Sequence, residues 1–167
     1  VDIALKAALT GHLVFSTLHT NDAPSSITRL INMGTPNYLI SAALTLIMAQ
    51  RLARKSCLDC RVIDENITPK LLNSIGFLPE QSVRAKIYKG KGCDQCSGSG
   101  YKGRMGIYEI LEIDNELKAG VLSNLQQTEL NAIAKKNGFR TMQDMGQDLL
   151  LSGDLSFAEY ERVLQSN

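Results

Sequence analysis

The segment Ala8-Leu9-Thr10-Gly11-His12-Leu13-Val14-Phe15-Ser16-Thr17-Leu18-His19-Thr20-Asn21-Asp22 carries the main clue to the architecture. Its centre, His12 to His19, is a nearly continuous apolar run with β-branched and aromatic members. That composition predicts a strand buried on both faces, as in a parallel sheet. Upstream, Ala4, Ala7, Ala8 and Gly11 suit a closely packed helix that ends at a glycine. Downstream, Thr20-Asn21-Asp22-Ala23-Pro24 supplies capping side chains and then a proline where a first helical turn tolerates it. Ile27, Leu30 and Ile31 follow at helical spacing, and Gly34 closes that helix. The run from Asn37 to Ala53 is apolar nearly all round and reads as a second, buried helix. Helix, buried strand, helix is the order expected of an α/β domain.

The whole chain fits this reading. Its 167 residues suit one domain, or one domain with a small appendage. Apolar residues make up 44% and charged residues 21%, which excludes a disordered chain. The net charge of +1 and the 5% aromatic content give no bulk reason to expect nucleic acid as a partner. No early segment has the order of a signal peptide. The longest nearly apolar stretch, Leu39 to Ala49, is interrupted by Ser41 and Thr45 and falls short of the ~20 residues a bilayer requires. The chain opens on Val1 in what reads as the middle of a helix, so a piece of a longer protein is expected.

Three regions differ in texture: residues 1–55, 56–104 and 105–167. The middle one is rich in loops and holds all four cysteines as two pairs, Cys57-Leu58-Asp59-Cys60 and Cys93-Asp94-Gln95-Cys96. Two converging CxxC turns are what tetrahedral zinc needs. Gly90 and Gly92 let the backbone turn just before the second pair. With all four positions filled, the expected role of the metal is structural. Arg54, Lys55, Arg61, Lys89, Lys91, Lys102 and Arg104 lie nearby in sequence and are expected to offset the thiolate charge and lower the thiol pKa values. A single redox pair would leave half the pattern unexplained, and two disulfides fit poorly without a secretory signal. A short helix is expected from Pro69 to Ile75. In the last region a short strand is expected at Gly106 to Leu111 and a helix at Thr128 to Lys136. Capping boxes are expected at Thr141 with Asp144 and at Ser156 with Glu159.

His12 and His19 are the only histidines. On a regular strand they would face opposite sides and would not share a metal. His19 sits where a presumed parallel strand enters a Thr-Asn-Asp loop, the end at which open α/β sheets bind ligands. His12 reads equally well as a satisfied, partly buried histidine.

With those residues in view, Ala8 to Asp22 resembles the His box of the secretion ATPase superfamily, closest to its type II secretion and type IV pilus assembly branch. Ala49-Gln50-Arg51-Leu52-Ala53-Arg54-Lys55, leading into the first cysteine pair, is similar to that branch. So are the tetracysteine pattern and Gly100-Tyr101-Lys102-Gly103-Arg104-Met105-Gly106-Ile107-Tyr108-Glu109. The resemblance covers essentially the whole chain. It implies the C-terminal part of a RecA-like ATPase domain with an inserted zinc-binding module and a C-terminal helical subdomain. It further implies a homo-hexameric motor that uses ATP and Mg²⁺ for pilus assembly, including mannose-sensitive-haemagglutinin-type pili, or for type II secretion. Such a motor works in the cytoplasm at the inner-membrane face, with platform and other machinery proteins as partners.

In that family His19 would face the γ-phosphate as a sensor or polarising group, with His12 in the same box. Arg51 becomes a candidate for a nucleotide or inter-subunit contact, an ordinary helix-end arginine being the other reading. A phosphate loop needs GxxxxGK[ST]. Gly90-Lys91-Gly92 lacks both the spacing and the final Ser or Thr. Val62-Ile63-Asp64-Glu65 is too little apolar to be a Walker B strand. Walker A and Walker B are expected upstream of Val1, so the chain alone should not hydrolyse ATP. The competing class is a zinc-stabilised binding module. Cys93 to Gly100 reads as CxxCxGxG and resembles one zinc-binding repeat of the DnaJ-type co-chaperones, and a zinc-ribbon nucleic-acid binder is the other form of this alternative.

Overall fold

A computed structural model describes residues 1–165 of the chain. Ser166 and Asn167, which end the third of the expected segments, lie outside the described residues. Helix and sheet are mixed along the chain, in two compact units. The first comprises Val1–Ala49 and Tyr108–Thr141, the second Gln50–Ile107 and the chain from Met142 onward. No helix among the described residues is long and apolar enough to cross a membrane.

In the first unit, α1 (Asp2–Leu9) is followed by the His12–His19 segment, then α2 (Ala23–Asn32) and α3 (Asn37–Ala43). The Asp22 carboxylate caps α2 by accepting from the Ser25 N–H at 2.7 Å, and Pro24 lies in its first turn. The apolar stripe of α2 enters a core of Ala23, Ile27, Leu30, Ile40, Leu111, Ile113, Leu117, Val121, Leu130 and Ala134. The last six of these come from the end of β4 (Tyr101–Glu112), the residue after it, α6 (Asn115–Leu122) and α7 (Gln127–Lys136). Asp114 caps α6 through the Leu117 N–H at 2.8 Å and accepts from Asn137 Nδ2 at 2.7 Å. These bonds to the ionised form lower the Asp114 pKa.

Two expectations are corrected here. The His12–His19 run is not a buried strand. It has no regular secondary structure and is mostly exposed, with Leu13 at 83% and Phe15 at 87%. A strand buried on both faces needs hydrogen-bonding neighbours, and no described strand pairs with this run. The helix expected from Asn37 to Ala53 ends at Ala43, and Leu46–Ser56 is instead strand β1. The chain leaves the helix at Leu44, at φ −80° and ψ 126°. An apolar run cannot distinguish buried helix from strand by periodicity, and here a distant strand settles the matter. β1 pairs with β4. The Ile113 N–H donates to the Thr45 carbonyl and the Cys57 N–H to the Gly100 carbonyl, both at 2.9 Å, so the two strands run antiparallel. Both sheets among the described residues are two-stranded, and the expected parallel sheet is not found.

The second unit holds the other sheet. β2 (Arg61–Ile63) pairs antiparallel with β3 (Tyr88–Gly90), with Arg61 opposite Gly90 and Ile63 opposite Tyr88. Between them run α4 (Pro69–Ser74), close to expectation, and α5 (Pro79–Arg84), which was not foreseen. α8 (Met142–Ser152), α9 (Phe157–Tyr160) and a π-helical turn (Glu161–Gln165) complete the unit. Gln147 Nε2 on α8 donates to the Ile75 carbonyl at 2.8 Å, tying the end of α4 down.

Candidate metal centre and histidine segment

The four cysteines reach one point because two backbone turns are fastened to each other. Cys57 directly follows β1 and Cys60 directly precedes β2. Cys93 opens a one-turn 3-10 helix that Cys96 ends. The Gly98 N–H donates to the Cys93 carbonyl at 2.9 Å, and the Ser99 N–H to that of Cys96 at 3.0 Å. The two turns are joined by the Cys57–Gly100 bond and by the Lys91 N–H donating to the Cys60 carbonyl at 3.1 Å. A Cβ on Gly90 would fall onto the Gly100 carbonyl oxygen, and one on Gly100 would stand 2.7 Å from the Gly90 carbonyl oxygen. Both glycines are therefore required by close backbone approach.

The four Sγ atoms all lie within 4.8 Å of one another. Cys57 is 3.9 Å from Cys93, Cys60 is 3.8 Å from Cys96, and Cys93 is 3.7 Å from Cys96. These spacings are far longer than a disulfide bond of about 2.05 Å, and all four cysteines are free thiols. A tetrahedral metal with bonds to sulfur of about 2.3 Å would set its ligands about 3.8 Å apart. The donor set and its geometry fit such an ion. No other group of three or more His, Cys, Asp or Glu side chains suited to a metal occurs among the described residues.

The thiols differ electrostatically. Burial pushes the Cys93 thiol up to about 12, helped by the neighbouring Cys96 sulfur. Burial raises Cys57 as well. Burial acts in the same direction on Cys96, but the N–H groups of Cys93 and Gly100, each 3.2 Å from its sulfur, outweigh it and bring that thiol down to about 6. The basic residues expected to favour thiolate are largely engaged elsewhere. Lys89 pairs with Asp64 at 2.8 Å, Lys55 with Asp154 at 3.2 Å, and Lys102 with Asp59 at 3.7 Å. Arg61 donates to the Ser152 carbonyl and lies over the Tyr88 ring. Backbone dipoles, and not flanking cations, are what favour the Cys96 thiolate. Replacing Gly90 with alanine is expected to force the two turns apart. Metal content should fall below half of the wild-type value, and all four thiols should react with a disulfide reagent without added chelator. Unchanged stoichiometry would show that the close approach is dispensable.

His12 is exposed, and its Nδ1 lies 2.9 Å from Thr10 Oγ1 and 3.3 Å from the Ala7 carbonyl oxygen. His19 is exposed, and no hydrogen bond holds its ring among the described residues. Without a regular strand, the expectation that the two histidines face opposite sides does not apply. His12 and His19 belong to the first unit and Arg51 to the second. Arg51 lies within β1 and not at a helix end.

Two buried carboxylates were not recognised as important from the sequence. Glu109, 3% exposed on β4, accepts through Oε1 from the Ala23 N–H at the start of α2. Glu159 is fully buried. Its Oε1 accepts from the Arg54 backbone N–H at 2.7 Å, and its Oε2 from Arg54 Nη2 at 2.7 Å and Nε at 2.9 Å. Arg162 clamps the same carboxylate at 2.8 and 2.5 Å. Ser156 caps α9 through the Glu159 N–H at 3.3 Å, so that half of the expected capping box is present. The Glu159 side chain is drawn to the arginines instead of back to the cap.

The fold and the site define an α/β chain with a tetracysteine cluster suited to a metal. The sequence pattern of the family described as Type II/IV secretion system protein matches residues 1–162, and the chain belongs to that family. It is 42% identical over 157 residues to the type IV pilus assembly ATPase PilB of Thermus thermophilus, covering 94% of this chain and 18% of that protein. It is 42% identical over 163 residues to the type IV pilus assembly ATPase TfpB of Acinetobacter baylyi, covering 98% and 28%. To the type II secretion system protein HxcR of Pseudomonas aeruginosa it is 35% identical over 161 residues, covering 96% and 30%. The chain thus spans less than a third of the length of each of these relatives.

Proposed function

We propose that this chain is the C-terminal part of the motor domain of an ATPase that powers type IV pilus assembly or type II secretion. The match to the family over nearly the whole chain, together with relatives named as type IV pilus assembly ATPases and as a type II secretion system protein, carries this reading. The four cysteines hold one structural zinc, as their tetrahedral spacing supports. Residues 1–55 then belong to the motor core, 56–104 to the zinc module, and 105–167 to a short strand and a C-terminal helical subdomain. The whole protein is a hexamer at the cytoplasmic face of the inner membrane, working with platform proteins. The alternative of a free-standing zinc-stabilised binding module is not favoured by the family match.

Within that motor His19 meets the terminal phosphate of ATP. Its exposed imidazole leaves the ring nitrogens open to hydrogen-bond the phosphate oxygens, where charge develops during phosphoryl transfer. His12 orients the start of the same segment through Thr10 and the end of α1. Arg51 contacts nucleotide or a neighbouring subunit. Mg²⁺ bound together with the nucleotide would offset the negative charge that develops on the phosphates. This chain contains no GxxxxGK[ST] sequence to cradle phosphate. The purified chain is therefore expected to release no phosphate from ATP above a buffer blank. The intact ATPase should turn over and should lose about 100-fold in kcat on His19→Ala. Undiminished turnover in that variant would sink the role assigned to His19.

A further inference from the structure

The His12–His19 segment poses a mechanical problem. It has no regular secondary structure, is mostly exposed and lies outside any described sheet, yet a group that acts on a phosphate must be held to within a fraction of an ångström. Its downstream end is fastened. Thr20, next to His19, has its Oγ1 2.8 Å from Ser26 Oγ in the first turn of α2. The Asp22 carboxylate accepts from the Ser25 N–H in that same turn. The first N–H of the helix, that of Ala23, donates to Glu109 on β4. Glu109 is 3% exposed and Ala23 fully buried, so this bond is sheltered from water. It joins residues 86 positions apart. A carboxylate at this place also complements the positive end of the α2 dipole.

The geometry points to Glu109 as the positioning residue of His19. Through Ala23, the first turn of α2 and Thr20, it fixes where the His19 backbone leaves the loop. Glu109 does not touch the nucleotide in this arrangement. Its role is to restrict the loop so that His19 does not have to search for its place. The inference rests on the reading of His19 given above.

The test has two arms. In the intact ATPase carrying this segment, Glu109→Ala should lower kcat about tenfold and leave KM for ATP within about threefold, as expected when transition-state alignment and not ground-state binding is lost. Glu109→Gln keeps an acceptor oxygen at the same reach and should recover kcat to within about threefold of wild type. In a His19→Ala background, Glu109→Ala should cost nothing more, because the two residues act as one unit. An effect that adds to that of His19→Ala, or a glutamine variant as poor as alanine, would overturn the proposal. The second arm uses this chain and needs no turnover. Glu109→Ala should speed amide exchange at Ala23 and shift the Thr20 and His19 resonances, while the Cys96 amide stays unchanged. Unmoved Ala23, Thr20 and His19 signals would equally overturn it. If His19→Ala leaves turnover intact while this second arm succeeds, the role of His19 in turnover fails and the anchoring by Glu109 stands.

Discussion

Removing the proposed zinc from this chain is expected to unfold the segment between Cys57 and Gly100 while the core of the first unit persists. The physical case rests on how little else holds that segment. Its strands β2 and β3 are three residues each, and α4 and α5 six residues each. Elements of that length are not stable alone. Its buried apolar side chains other than cysteine are Leu72, Phe77 and Ile87. Three such side chains are too small a core to order the segment without a staple. In small metal-stapled segments the free energy of metal binding is what drives folding. The first unit has its own core, from Ile27 to Leu130, and contains no cysteine. Hydrogen exchange read by peptide mass should show residues 57–100 losing protection by orders of magnitude after chelation or in Cys96→Ser. Peptides bearing Ile27, Leu117 and Leu130 should keep theirs. Unchanged protection at 57–100 after proven metal loss would show that the segment folds without its staple.

The second large effect is expected at Glu159. Its carboxyl is buried, which raises its pKa, but the bonds from Arg162 and Arg54 outweigh burial and bring it down to about 2 from the ordinary 4.5. A folded-state pKa below the unfolded one means stability that is present above about pH 4.5 and lost as pH falls toward 2. The shift corresponds to roughly 3 kcal/mol. The guanidinium groups are about half exposed, at 48% for Arg54 and 53% for Arg162, so water takes part of their charge when the partner is lost. Glu159→Gln is therefore expected to cost about 2–3 kcal/mol at pH 7. The difference between variant and wild type should shrink as pH drops from 4.5 to 2. Urea midpoints at matched pH read this directly, and taking the difference cancels any acid-driven metal loss common to both proteins. A gap that stays constant across that window would show that Glu159 is not ionised in the folded chain.

The two CxxC pairs are legible in sequence because CxxC spacing is local and sulfur chemistry is specific. The Asp22 cap, the proline of α2 and the helix at Gln127–Lys136 are legible for the same reason: a helix end is written in the few residues around it. The resemblance to the secretion ATPases was carried by contiguous motifs, and the family match over residues 1–162 agrees with it. The spacing of the four sulfurs required two turns, 36 residues apart, to be joined by backbone bonds.

The remaining features depend on residues far apart in the chain. Nothing near Leu46–Ser56 states that Tyr101–Glu112 will pair with it, so an apolar run that could pack as a helix becomes a strand. Nothing near His12–His19 states that no described strand will pair with it. Glu159 reads locally as a capping residue, and only an arginine 105 positions away reveals it as a buried clamp. Glu109 reads as a polar position in a strand until the N-terminus of α2 is brought against it. Caps, turns and ligand spacings are determined by interactions within a few residues and can be read in order. Strand pairing and the partners of buried carboxylates are determined by which distant segments meet, and hydrogen bonds shielded from water make those meetings decisive.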